Sequence, residues 1–256
     1  MSEAIRGPGI LWVQSRVSPT SKDILDETTF LKWYDDEHIT EVVSTSGIRS
    51  GFRYIDVKKT SPCGNPANPT PFLAFYPLED LAFTLGDEFK KINIKSIHLP
   101  GSGIIYDMAD FDISSMAYLN STPRKIKGEP KYLLSSGIRT EKESELDGID
   151  EYYNKQIDDV SREKGYIRTL RFRLLYARTN AQSRALKGLP TTEEPYPEPS
   201  TWLAVHEFSE TPGSVVVASL EQDLSETAKK HGWGKTQSEV HVWSLEKVHG
   251  EGKFFE

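Results

Sequence analysis

The hydrophobic pattern along the chain switches between two periods, and the switches mark its elements. Residues 10–17, rich in β-branched and aromatic side chains and bounded by Gly7-Pro8-Gly9 and Ser18-Pro19, read as a strand. From Asp26 onward the spacing becomes helical. Phe30, Tyr34, His38 and Val42 recur every four residues, Leu31, Trp33 and Ile39 widen the apolar face, and Gly47 marks the stop. Residues 48–59 predict a second strand, and the breaker-rich stretch 61–71 separates it from the short apolar run 72–76 in a long hairpin connection. A helix over 78–92 and a strand over 104–111, preceded by Pro100-Gly101-Ser102-Gly103, complete the first half.

The second half predicts the same order: strand 132–138, helix 147–163 with Ile149, Tyr153, Ile157 and Val160 on one face, strand 166–178, a proline-rich insertion at 188–200, strand 201–208, helix 214–231 and strand 238–245. Trp33-Tyr34 and Tyr152-Tyr153 lie 119 residues apart, as do Arg49 and Arg168, while the longer second insertion sets Phe72 and Trp202 130 apart. The pattern reads as an internal repeat with units at 1–122 and 123–256. Each unit is expected to be a β-α-β-β-α-β ferredoxin-like fold whose antiparallel sheet carries both helices on one face. The other sheet face needs cover, so the two units are expected to pack sheet to sheet as a pseudo-dimeric α+β barrel.

Charge narrows the partners. Lys plus Arg is 31 against 38 Asp plus Glu, a formal balance of −7, and basic residues cluster no further than pairs such as Lys58-Lys59 and Lys229-Lys230. Electrostatic capture of nucleic acid or of an anionic membrane is therefore not expected. The N-terminal stretch lacks the apolar core of a secretory signal, no window is long and apolar enough to span a bilayer, and the single Cys63 excludes an intrachain disulfide, so a cytoplasmic protein is expected. The six histidines, at 38, 98, 206, 231, 241 and 249, form no H-x-x-x-H or H-E-x-x-H pair. Glycine-rich phosphate-binding motifs and the G-x-S-x-G elbow are also absent, so neither a metal nor a nucleotide cofactor is expected.

The first helix carries Phe30-Leu31-Lys32-Trp33-Tyr34-Asp35-Asp36-Glu37-His38-Ile39, followed by Gly47-Ile48-Arg49-Ser50-Gly51-Phe52-Arg53-Tyr54. This segment resembles the EthD-like branch of the dimeric α+β barrel superfamily, in which a W-Y-x-x-x-H helix precedes a strand beginning with a glycine and an arginine. The resemblance covers about twenty-five residues of the first half and implies a pocket between the sheet and the first helix, lined by the histidine. It further implies action on a small aromatic or polyketide-like molecule, frequently without cofactor, by decarboxylation, cyclisation, dehydration or monooxygenation; related barrels bind haem. In the second half Ile157 stands where His38 stands in the first, so any site is expected to be asymmetric.

On the residues themselves, His38 shares the apolar face with Phe30 and Tyr34, which fits either a satisfied core histidine or a general acid or base. Asp35, Asp36 and Glu37 read as a solvated charged face. The leading expectation is a cofactor-independent enzyme with His38 as proton-transfer residue and Trp33, Tyr34, Arg53, Tyr54, Tyr76 and His206 around the substrate. The competing expectations are a non-catalytic or stress-related small-molecule-binding barrel, and a monooxygenase or haem-binding relative. Because the repeat already supplies a second sheet, a monomer with an internal pseudo-dimer or a homodimer is expected.

Overall fold

The computed structural model describes residues 5–140, 148–191, 199–253 and 255. The fold is α+β. Its eight strands follow the hydrogen-bonded order β1-β3-β2-β8-β5-β7-β6-β4 of a closed antiparallel barrel. They are β1 (Gly9–Val17), β2 (Ser50–Asp56), β3 (Phe72–Leu78), β4 (Ala109–Ser121), β5 (Tyr132–Thr140), β6 (Tyr166–Arg178), β7 (Trp202–Phe208) and β8 (Thr236–Gly250). By contacts the chain forms two compact units, residues 1–117 with 175–198 and 246–256, and residues 118–174 with 199–245.

In the first unit the sheet runs β4-β1-β3-β2, the 4-1-3-2 order of the ferredoxin-like unit. Strand alternation gives it two distinct faces. Leu11, Val13, Phe72, Ala74 and Tyr76 share one core with the helix residues Phe30, Trp33 and Tyr34. On the opposite face Phe75 is ringed by Trp12, Phe52 and Tyr54, at centroid distances of 6.0, 5.6 and 6.4 Å. The helix itself is three segments in continuous sequence: α1 (Glu27–Trp33), a π-helical segment (Tyr34–His38) and α2 (Ile39–Val43). Asp26 caps it, accepting from the Thr29 backbone N–H at 2.8 Å. Gly51 lets the helix approach the sheet, since a Cβ there would stand 2.9 Å from Ile39 Cγ2 and 3.1 Å from the Tyr76 ring.

Two segments differ from their sequence reading. The helix expected over 78–92 is two short pieces, a 3-10 turn (Leu81–Leu85) and α3 (Asp87–Lys90). Leu78 stays in β3, Asp80 caps the turn by accepting from the Ala82 N–H, and extended Gly86 breaks the run. The strand expected from 104 begins at Ala109, because Ile104 forms an isolated bridge with Lys95 and Ile105–Asp107 turn in a 3-10 helix. Within the proline-rich insertion, residues 192–198 lie outside the described residues.

The second unit's helices are α4 (Ile149–Val160) and α6 (Ser214–His231), and its sheet runs β8-β5-β7-β6 in the same 4-1-3-2 order. Asp147, from which the first of these helices was read, lies outside the described residues. α5 (Asn180–Leu186), which has no counterpart in the sequence reading, belongs to the first unit and is opened by a capping box between Thr179 and Gln182.

Candidate functional site

The site follows from the π turn. In an α-helix residues five apart point roughly 140° away from each other, whereas a turn closed by i→i+5 hydrogen bonds brings them onto one side. The Ile39 N–H bonds the Tyr34 carbonyl across five residues, and the Trp33 and His38 rings accordingly stack at 4.9 Å with 19° between planes. Tyr34 stacks on His38 in turn, at 5.6 Å and 11°. The strict four-residue spacing of Phe30, Tyr34, His38 and Val42 would drift around a regular α-helix; the widened turn holds the rings together.

These rings wall a cavity of about 60 Å³ in the first unit. Trp33, Tyr34, His38, Tyr76 and Phe111 form its aromatic side, Leu11, Val13 and Ile113 its sheet side, and Phe89, Ile92 and Tyr106 lie around them, with Lys187 as the single charged lining residue among those described. That volume holds a few water molecules and is below the ~150 Å³ of a cavity that accepts benzene. A ligand must part the lining to enter, and a haem or flavin ring system does not fit the cavity in this form. Among the described residues no group of three or more His, Cys, Asp or Glu side chains is placed to hold a metal ion.

The cavity's polar atoms are unusually idle. His38 Nδ1 is sealed from solvent without a hydrogen-bond partner, although part of the ring surface remains accessible. Burial pushes its pKa down to about 4; the Asn93 backbone works against that shift and the Lys187 ammonium adds to it. A neutral imidazole carries one acceptor nitrogen, and unpartnered Nδ1 is free to serve as it. The Tyr34 hydroxyl lies beside those of Tyr76 and Ser15, and none of the three makes a hydrogen bond of normal geometry. Burial raises the pKa of both tyrosines, so both stay protonated donors across the physiological range.

Behind this group, Arg53 binds Asp35 bidentately, Nε donating to Oδ1 at 2.6 Å and Nη2 to Oδ2 at 2.8 Å. His249 Nε2 lies 3.3 Å from the same Oδ1 and Lys247 Nζ 3.6 Å from Oδ2. Burial alone would raise the Asp35 pKa, but the hydrogen bonds from His249 and Arg53 outweigh it and hold the carboxyl well below the usual range. Asp35 is thus a half-buried anchor and not part of a solvated face. Of its neighbours Asp36 is exposed, and Glu37 accepts from Ser96 Oγ at 2.9 Å.

Of the residues singled out from the sequence, Trp33, Tyr34, His38 and Tyr76 meet at the cavity. Arg53 supports the helix through Asp35 and Tyr54 packs on Phe75 across the sheet; neither lines it. His206 belongs to the second unit, fully buried, with Nδ1 2.8 Å from Thr169 Oγ1 and Nε2 unpartnered. Burial pushes its pKa down to about 3. Lys187 was missed; it follows the capping box between Thr179 and Gln182 that announces α5, but nothing in its own spacing points to a cavity built from residues 11–113.

Both histidines are neutral in the fold and would protonate near pH 6.5 once unfolded. Between about pH 6.5 and 4 the unfolded chain binds protons that the folded chain refuses, so stability falls with falling pH by up to about 1.4 kcal/mol per pH unit for each histidine. The urea midpoint is expected to drop from pH 6.5 to 4.5, with a shallower drop in a His206→Asn variant. Midpoints independent of pH over that interval would show that the rings are already charged or solvated.

The fold, an antiparallel α+β barrel with ferredoxin-like sheets, is shared with solved structures. Similar solved structures are an anthrone oxidase-like protein (12% identity, 98% of this chain and 96% of that one, TM-score 0.50) and a proposed monooxygenase from Fusobacterium nucleatum (11%, 97% and 96%, TM-score 0.51), likenesses of fold alone. In sequence the chain is 25% identical over 237 residues to core atranone cluster protein 1 of Stachybotrys chlorohalonatus, covering 91% of this chain and 95% of that one. No protein-family model matches the chain. Among the described residues no helix is long and apolar enough to cross a membrane.

Proposed function

We propose that this protein is a small-molecule-processing enzyme that moves a proton on an aromatic or polyketide-derived substrate held in the His38 cavity. The observation that carries the reading is the set of unpartnered polar atoms in an otherwise apolar, aromatic-walled space: His38 Nδ1 and the Tyr34 and Tyr76 hydroxyls. Buried polar groups normally find partners within the protein, so a cluster left without them is ready for a ligand's. Neutral His38 accepts the proton from an acidic C–H or O–H of the substrate at Nδ1. The two tyrosine hydroxyls donate to the adjacent carbonyl oxygen, where negative charge develops. Decarboxylation, cyclisation and dehydration all draw on this acid–base equipment, and none of its groups is a cofactor. The sequence relative's place in an atranone cluster supports a substrate from the same kind of chemistry.

Deleting the gene in the source organism is expected to make a precursor accumulate that the purified protein then converts. Accumulation with no conversion in vitro, or an unchanged metabolite profile, counts against catalysis and favours a binding protein.

A further inference from the structure

The cavity's charge is unbalanced. Among the described residues Lys187 is the one charged residue that lines it, and no carboxylate does. Two of the three ammonium protons are taken by backbone carbonyls, Lys90 O at 2.6 Å and Ile92 O at 2.7 Å, which leaves one donor over. Arg178 adds a second cation on the same side. Its guanidinium lies 5.9 Å from the centroid of Phe89, its Nε is buried without a hydrogen-bond partner, and its charge acts on both Lys187 and Tyr106. The acid that acts on Lys187, Glu41, gives its carboxylate to the Asn93 backbone N–H at 3.0 and 3.1 Å and contributes less than Arg178 does. Two neighbouring cations partly withdrawn from water, with no carboxylate between them, are costly unless an anion joins them.

We propose that Lys187, with Arg178 behind it, is the substrate-binding cation of this cavity, and that the ligand is an aromatic ring bearing an anionic oxygen, a carboxylate or a phenolate. The ring lies against Trp33 and Phe111, its anionic oxygen takes the spare Lys187 donor, and the opposite edge reaches His38 and the tyrosines. The assignment rests on the cavity being the ligand site. It deepens that reading chemically as well: the ammonium that disfavours a proton on resting His38 also stabilises the anion left when the substrate gives its proton up.

Calorimetric titration with matched pairs of probes tests this, benzoate against benzamide for a carboxylate and 4-nitrophenolate against 4-nitroaniline for a phenolate. In the wild-type chain one of the anions is expected to bind at least tenfold more tightly than its neutral partner, and the pair that shows the preference identifies the group. Lys187→Met is expected to bring that ratio to about one while the neutral probe still binds, and Lys187→Arg to keep the preference. Equal binding of anion and neutral probe by the wild type, or a preference that survives in Lys187→Met, overturns the role of Lys187 and leaves the cavity reading standing. If none of the four probes binds, or if bound probes quench tryptophan fluorescence as strongly in Trp33→Phe as in the wild type, the cavity reading fails and the proposal with it. The wild-type comparison reads out even where a variant does not fold.

Discussion

Turnover of the accumulated precursor is expected to fall by ~10²–10⁴ in a His38→Ala variant, the range of general acid–base contributions. The argument is positional. Nδ1 is the imidazole nitrogen at the cavity that has no protein partner, and burial keeps it unprotonated down to about pH 4. Its protonation state sets the sign of the pH dependence. The neutral ring is the active form, so kcat/KM should be level from about pH 5.5 upward and fall on an acid limb near pH 4, well below the 6.5 of a solvated histidine. His38→Gln, which can accept a hydrogen bond but not hold a proton, should retain binding of a neutral aromatic probe and lose turnover. Turnover within threefold of wild type in both variants, with folding confirmed by circular dichroism, would falsify the proton-transfer role.

The largest loss of stability is expected from Asp35→Ala. The change leaves Arg53, only 6% exposed, facing His249 and Lys247 without its counter-charge. Breaking one side of a buried pair costs ~3–5 kcal/mol, most of it the penalty of an uncompensated charge. The double variant Asp35→Ala with Arg53→Met removes that penalty and should recover a good part of the loss, a coupling that a urea-unfolding cycle measures directly. If the double variant is as unstable as the sum of the singles, the pair is not what holds the helix to β2. Because Asp35 sits inside the π turn, its removal should also loosen the stack of Trp33 and His38, which near-ultraviolet circular dichroism would register.

Periodicity alone placed most of the frame. β6 and α6 lie where their patterns put them, β1 within one residue, and the apolar face of Phe30 and Tyr34 packs on the sheet as its spacing implied. What escaped the sequence was decided by backbone geometry or by distant charge. The π turn changes which carbonyl each N–H reaches, and no side chain announces that. The break at Gly86 divides a stretch whose apolar spacing reads as one helix. Asp35 reads as one acid among three; only the fold shows that it lies against Arg53, eighteen residues on, and His249, more than two hundred on. Lys187 is the same case. The cavity's aromatic half is local and therefore legible, whereas its charge comes from the far end of β6 and the segment after α5, and becomes visible only in three dimensions.

The π turn also has a meaning in the arithmetic of insertions and deletions. Replacing i→i+4 closure by i→i+5 is equivalent to adding one residue to an α-helix without disturbing the register on either side. Removing one residue between Tyr34 and His38 would let α1 and α2 fuse into a regular helix, with Phe30 and Val42 still buried, and would set the tryptophan and the histidine four residues apart, still on one helix face. The five-residue interval from Trp33 to His38, readable in the chain as a motif, is the footprint of that extra residue. A homologous chain one residue shorter at this point would share the architecture and keep the two rings on one face of an ordinary α-helix, whereas a regular α-helix of unchanged length would turn them apart.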